Sequence, residues 1–308
     1  MSADGGPQLS TDERWPRASE WLAGRLGVPP DGASSALAFL GVPASRTSLS
    51  PTRADLTPAA VRQALARFSP AATTRGIDLA DLAATDLGDV SDPDGDEDNT
   101  SATAARALAA GARLLLACGG DNSITYAVMR GVMGDRLGAA GLVTLDAHHD
   151  IREGVSNGSP VRRLIEAGLD PARIVQVGIS DWANSRSYAE EAAELGITVL
   201  PRREVARRGL EVCMEQALDI AGALGAPVYV DLDVDVCDRS VAPACPASLP
   251  GGLSAAELMS AARMAGADPR VVGVDLTEVD AAADAPDGRT VRLAALCVLE
   301  VAAGLAAR

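Results

Sequence analysis

The chain has only two histidines, His148 and His149, among its 308 residues, and aromatic side chains make up 3 % of it. The two are adjacent, so any imidazole chemistry is confined to one place. No apolar run approaches the roughly 18 residues of a membrane span. The first ten residues are polar and lack the basic region and apolar core of a secretory signal. These absences predict a soluble, cytoplasmic protein. The five cysteines, Cys118, Cys213, Cys237, Cys245 and Cys297, show no CxxC or paired spacing, which predicts reduced thiols in apolar surroundings. A net charge of −15 argues against nucleic-acid and anionic-membrane partners. An anionic substrate would therefore need its own local arginines.

What the chain has is apolar residues, 47 % of the total, enough for a sizeable core at this length. Residues 1–33 are rich in Gly, Pro and charge and read as a partly flexible arm with a short helix around Trp21. Residues 34–308 read as one α/β domain. Apolar runs at 37–42, 112–118, 142–145, 173–179, 197–200, 227–235 and 271–279 predict strands. Helical spacing is found at 57–68, 124–133, 160–168, 187–195, from about 202 to Leu224, 254–265 and 290–306. In the first of these, Thr57 is the expected N-cap and Pro58 the first helical residue. The Asp-rich stretch 86–98 reads as a solvated loop, since it lacks EF-hand spacing. Strands alternating with helices predict a mostly parallel sheet covered on both faces, with ligands beyond the carboxyl ends of the strands.

The polar clusters fall at those ends. Leu142–Leu145 reads as a buried strand delivering Asp146, His148 and Asp150, and period two puts these three on one side and His149 on the other. A structural role is therefore expected for His149. Three ionisable groups beside a buried strand are costly unless a cation lies between them, and two carboxylates with an imidazole suit a divalent metal. A second cluster, Asp231, Asp233 and Asp235, ends the strand that begins at Val228. Two carboxylates from it, added to the first three groups, are enough for two ions that would generate hydroxide and clamp an electrophile. Gly119 and Gly120 permit a tight turn that presents Asp121 and Asn122. Glu278 ends the last strand, where an unpaired carboxylate suits either a cationic amidine or guanidine or a solvated surface position.

Taken in order, G-G-D-N-S, L-D-A-H-H-D, N-G-S-P, D-V-D-V-C-D and T-E-V-D resemble the arginase/agmatinase/formimidoylglutamase (ureohydrolase) family. The resemblance implies an arginase-like α/β/α sandwich with a central parallel sheet, two Mn²⁺ ions, and attack of a metal-bridging hydroxide on an amidine or guanidine carbon. It implies Asp146, His148, Asp150, Asp233 and Asp235 as metal ligands. Glu278 would orient the cationic group, and Asp150 would relay a proton to the leaving amine. Asp231 stands where the family usually has Ser and is not carried over. The family forms closed rings of three or six, so a homo-oligomer is expected.

Two positions depart from the family pattern. Asn122 replaces a metal-ligating His; it is expected to ligate through its weaker amide oxygen or to orient a ligand, leaving one ion loosely held. Asn157 replaces a His implicated in proton shuttling in arginases and cannot titrate. Both changes resemble the formimidoylglutamases of histidine breakdown, as do N-S-R-S-Y and A-P-A-C-P-A-S-L-P-G-G-L. The implied reaction is hydrolysis of N-formimidoyl-L-glutamate to L-glutamate and formamide. Its two carboxylates point to Arg152, Arg162 and Arg163 as candidate clamps, with Asn157 and Ser159 as hydrogen-bonding partners. The alternatives are another amidinohydrolase acting on a guanidino acid or agmatine, and a metal-poor relative that binds without turnover.

Overall fold

Strands buried on both faces are continuous apolar runs, and such runs pair in parallel when helices cover the crossovers. A computed structural model describes residues 12–24 and 35–308. Its strands are β1 (Leu37–Val42), β2 (Ala71–Ala72), β3 (Ile77–Asp78), β4 (Ala84–Asp89), β5 (Leu114–Gly119), β6 (Gly141–Leu145), β7 (Ile174–Val177), β8 (Thr198–Leu200), β9 (Val228–Asp233) and β10 (Val271–Thr277). The α-helices are α1 (Ala18–Leu22), α2 (Thr57–Leu65), α3 (Glu97–Ala109), α4 (Ile124–Met133), α5 (Pro160–Glu166), α6 (Arg186–Leu195), α7 (Arg202–Arg208), α8 (Leu210–Ala221), α9 (Ala255–Ala267) and α10 (Arg289–Ala306).

Eight strands form one sheet in the order β4-β1-β5-β10-β9-β6-β7-β8, and every pairing in it is parallel. Alternate residues of each strand feed opposite cores. Leu37, Phe39, Leu114, Leu116, Val230 and Leu232 pack with Trp21, Val61, Met214, Leu258 and Val298. Ala38, Leu40, Leu115, Leu142 and Tyr229 pack on the other face with Ala104, Val128, Val161 and Ala192. The expected three-layer α/β/α sandwich is the observed one. Its centre is completed late in the chain, because β9 and β10 insert between β5 and β6.

Local differences from the sequence expectations have identifiable causes. Thr57 is the first residue of α2, not its cap, and its hydroxyl donates to the Val279 carbonyl. The acidic stretch 86–98 is only partly loop. Asp86–Asp89 complete β4, whose exposure suits a charged sheet edge, while Asp96 caps α3 by accepting from the Asn99 N–H at 2.9 Å. Helix α3 has no counterpart in the sequence reading because its buried face is only Thr100, Ala104 and Ala107. The long helix expected to reach Leu224 breaks at Gly209, whose φ of 90° ends α7 and begins α8. Within the N-terminal arm, Trp21 is buried and its indole N–H donates to the Leu82 carbonyl at 2.9 Å; residues 1–11 and 25–34 lie outside the described residues. All five cysteines are buried and free.

The turn after β5 brings its backbone against the loop after β1. The Gly120 and Asp121 N–H groups donate to the Val42 and Ala44 carbonyls at 3.2 and 2.9 Å. A Cβ at Gly120 would lie 2.0 Å from the Ala44 oxygen. Gly120→Ala is therefore expected to cost about 1–3 kcal/mol through overpacking, read as a lower urea midpoint. An unchanged midpoint would show that the two backbones are free to part.

Candidate metal centre

The carboxyl ends of β5, β10, β9 and β6, the four central strands, converge on one polar floor. Strand β6 stops at Leu145, so the alternation expected for Asp146, His148 and Asp150 is not that of a strand. Asp150 returns to the floor through a left-handed residue with φ 53°, and Glu278, just past β10, has φ 64°. Left-handed backbone is unfavourable for a side chain with a Cβ, and where it persists the surroundings hold it. Asp233 ends β9, whereas Asp235 lies in the 3-10 turn Val234–Val236, where its N–H donates to the Asp233 carboxylate at 2.7 Å.

His148 Nδ1 lies 2.7 Å from Asp235 and 3.4 Å from Asp146. Two groups place their ligand atoms within 4.8 Å of one another: Asp146, His148 and Asp235, and Asp146, Asp150 and Asp233. They share Asp146. Burial, reinforced by Asp150 and Asp235, pushes the Asp146 carboxyl well above the usual range. Burial, with Asp235 and Asp146, does the same to Asp233. Burial opposes charge on His148, but Asp235, Asp150 and Asp233 outweigh it and raise the ring to about 10. Burial likewise works against Asp235, and His148 more than offsets it, holding this carboxyl low. One imidazolium cannot neutralise four buried carboxylates. Hard oxygen donors and one imidazole at this spacing fit divalent cations.

Asn122 and Asn157 meet at Glu278. The Asn122 backbone N–H and the Asn157 amide each donate to the same Glu278 oxygen, both at 2.8 Å, and the other oxygen has no hydrogen-bond partner among the described residues. Against these two bonds, burial pushes the Glu278 carboxyl up to about 8. The Asn122 amide N–H donates to Asp150 at 2.6 Å, and its oxygen accepts from the Thr125 and Thr277 hydroxyls at 2.8 and 3.1 Å. Here the Asn122 amide N–H orients Asp150 while its oxygen is taken by two hydroxyls. Asn157 also accepts from the Leu49 N–H at 3.0 Å, which ties the loop after β1 to the floor.

A cleft of about 240 Å³ opens above this floor. It is lined by His148, His149, Asp150, Arg152, Asn157, Asp233, Asp235 and Glu278, and by Leu49, Asn184, Ser185 and Tyr188. The three candidate arginines separate. Arg152 is exposed on the rim and has no ion-pair partner among the described residues. Arg162 is occupied elsewhere, donating to the Ile151 carbonyl at 2.7 Å and pairing with Glu191 at 2.7 Å. Arg163 pairs with Glu97 at 2.6 Å and stacks 3.7 Å over Tyr126, lining a different cavity. The Ser159 hydroxyl is also spent, donating to the Ser156 carbonyl at 2.8 Å and accepting the Ser156 N–H at 2.9 Å. The structure therefore does not bring Arg162, Arg163 or Ser159 into the cleft. His149, expected to face away, lines it. The α6 end of the cleft was not anticipated, although N-S-R-S-Y marks it in the sequence.

Beneath the floor, Asp231 sits in register with Asp275 on β10 and Thr144 on β6. No N–H or O–H donor among the described residues reaches either Asp231 oxygen, and the hydrogen bond open to it is a proton shared with the Asp275 carboxyl. Burial and the neighbouring Asp275 push its carboxyl well above the usual range.

Comparison with known proteins agrees with this geometry. Over 273 residues the chain is 34 % identical to the formimidoylglutamase of Halalkalibacterium halodurans, covering 85 % of each chain. Over 278 residues it is 31 % identical to that of Bacillus subtilis, covering 87 % of this chain and 86 % of the relative. The crystal structure of the Bacillus subtilis enzyme matches with a TM-score of 0.87 at 29 % identity, over 98 % of this chain and 95 % of that chain. Residues 35–304 match the model of the Arginase family, and with the sandwich, the carboxylate–imidazole floor and the motif order in place, the chain belongs to that family.

Proposed function

We propose that the protein is a Mn²⁺-dependent formimidoylglutamase that hydrolyses N-formimidoyl-L-glutamate to L-glutamate and formamide, in the course of histidine breakdown. The carrying observation is Glu278, held on one oxygen by Asn122 and Asn157 with its other oxygen unpartnered among the described residues, beside the Asp146–His148–Asp235 and Asp146–Asp150–Asp233 groups. The curated relatives with this activity support it. Asp146, His148, Asp150, Asp233 and Asp235 would hold two Mn²⁺ ions. When bound, these supply an activated water and polarise the amidine. The group without imidazole, beside Asn122, is the looser site, and oxygen donors there favour Mn²⁺ over Zn²⁺.

This chain's own residues do the rest. The open Glu278 oxygen receives the amidinium N–H groups and aims the central carbon at the floor. Asp150, oriented by the Asn122 amide, holds the proton that passes to the leaving amine, so that amidinium and water become a free ammonium and formamide. Neither asparagine titrates, so neither serves as a proton shuttle. A formimidoyl carbon bears hydrogen and lacks the third nitrogen that stabilises a guanidinium, and it tolerates the missing shuttle better. All 27 cationic Lys and Arg positions are arginines, and among the described residues lining the cleft Arg152 is the one arginine; it is assigned to a substrate carboxylate. The reading places the enzyme in the cytoplasm, where free cysteines persist, as a homo-oligomer of three or six subunits.

Three measurements test the reading. Supplied separately with N-formimidoyl-L-glutamate, L-arginine, agmatine and 4-guanidinobutyrate, the Mn²⁺-loaded protein is expected to release formamide from the first and no urea from the others. Urea would make it a different amidinohydrolase, and silence from all four would favour a binding protein. Arg152→Ala is expected to raise KM for the dicarboxylate about 10- to 100-fold, the value of about 1.5–3 kcal/mol for a charged hydrogen bond, and to leave a neutral amidine almost unaffected. Equal effects on both would remove Arg152 from carboxylate binding. Prolonged chelation is expected to strip one Mn²⁺ per subunit before the other and to lower the melting midpoint, since an ion that binds only the folded state stabilises it. Two equivalents surviving chelation would contradict the loose site.

A further inference from the structure

His149 is buried, yet it forms part of the cleft lining. Its ring Nδ1 lies 2.6 Å from the Gln176 side-chain oxygen. The orientation of that amide is set independently, because the Gln176 amide N–H donates to the His149 backbone carbonyl at 2.8 Å. With an oxygen facing the ring, Nδ1 must carry the hydrogen and donate it. In the neutral imidazole the lone pair is then on Nε2. That atom has no hydrogen-bond partner among the described residues, and it is not among their sealed, unpartnered polar atoms. With Nδ1 tied to β7, Nε2 is the ring nitrogen left to meet a ligand on this side of the cleft.

Two neighbouring side chains on this wall, Asn184 and Ser185, are already engaged. The Asn184 amide accepts from the His149 backbone N–H at 3.0 Å and donates to the Ala147 and Ser180 carbonyls at 2.8 and 3.1 Å. The Ser185 hydroxyl accepts from the Tyr188 N–H at 3.2 Å and caps α6. The carboxylates of the floor are the metal-holding groups of the reading above. A protonated amidine carries several N–H donors, more than the open Glu278 oxygen alone can satisfy.

We propose that His149 contacts the substrate directly, its Nε2 accepting a hydrogen bond from an N–H of the bound amidine while Gln176 holds the tautomer that makes this possible. The proposal rests on the amidine-hydrolase reading and requires no change in protonation of the ring. It assigns to this pair of residues the orientation of the amidine from the β7 side of the cleft, opposite the hold of Glu278 on the β10 side.

Two substitutions separate substrate contact from structural support. Asparagine at 149 keeps an amide N–H near the Nδ1 position, so it can still donate to Gln176, but nothing reaches the Nε2 position. Glutamine at 149 places its amide near Nε2. His149→Asn is expected to lower kcat/KM for N-formimidoyl-L-glutamate by about 10- to 100-fold, the loss of a charge-assisted hydrogen bond. Its Mn²⁺ stoichiometry by titration calorimetry and its melting midpoint are expected to stay at wild-type values. His149→Gln is expected to recover most of the activity. Wild-type activity in His149→Asn, or a loss matched by loss of bound Mn²⁺, would overturn the assignment, as would a His149→Gln variant no better than His149→Asn. Formamide release by the wild type distinguishes the two levels. Its absence with all amidines overturns the amidine reading and the assignment together, whereas its presence alongside an unaffected His149→Asn overturns the assignment alone.

Discussion

Mutual repulsion among Asp146, Asp150, Asp233 and Asp235, gathered around one imidazole, is the constraint on which the site depends. In a buried, low-dielectric position such charges interact far more strongly than in water, and left alone they would move apart. The backbone prevents it. The His148 N–H donates to Asp146 at 2.6 Å, the Ala147 N–H to Asp235 at 3.0 Å and the Asp235 N–H to Asp233 at 2.7 Å. Asp146, Asp233 and Asp235 are thereby held by turns that follow strands, Asp150 is held by the Asn122 amide, and the strands are held by two apolar cores. The stability of the sandwich maintains an electrostatically unfavourable cluster that a divalent cation can relieve.

Around that cluster the polar side chains form a neutral network. Asn122 bridges Asp150, Glu278, Thr125 and Thr277, and Asn157 bridges Glu278 and the loop at Leu49. Amides provide both donors and acceptors without adding charge, so they orient carboxylates without titrating. A histidine at either position would add a group able to take up a proton or bind a metal. The pair of asparagines therefore leaves the carboxylates and His148 as the titratable groups of this floor among the described residues.

The arginines show how position decides role in an acidic chain. Arg152, Arg162 and Arg163 are close in sequence, yet only Arg152 faces the cleft. Arg162 closes the loop carrying Arg152 onto Glu191, and Arg163 joins Tyr126 and Glu97 on α3. No spacing rule could have separated them, because their partners lie on elements distant in the sequence. The same applies to His149. Alternation along a strand put it opposite His148, but β6 ends before either residue, and the turn brings both toward the cleft.

Residue chemistry and local order alone determined the alternating architecture, the parallel sheet and the gathering of acidic residues beyond the strand ends, while the family resemblance implied which of those residues to pick out. The first three follow from apolar periodicity and from the cost of burying charge, both of which are written along the chain. Tertiary structure decided which carboxylates lie within reach of one another, which oxygen of Glu278 the asparagines occupy, how Asn122 is turned and which arginine has no ion-pair partner among the described residues. Asn122 and Glu278 are 156 positions apart, and they meet only because β10 inserts beside β5. A side chain's last hydrogen bond depends on its neighbours in space, and those neighbours are supplied by the crossing order of the strands.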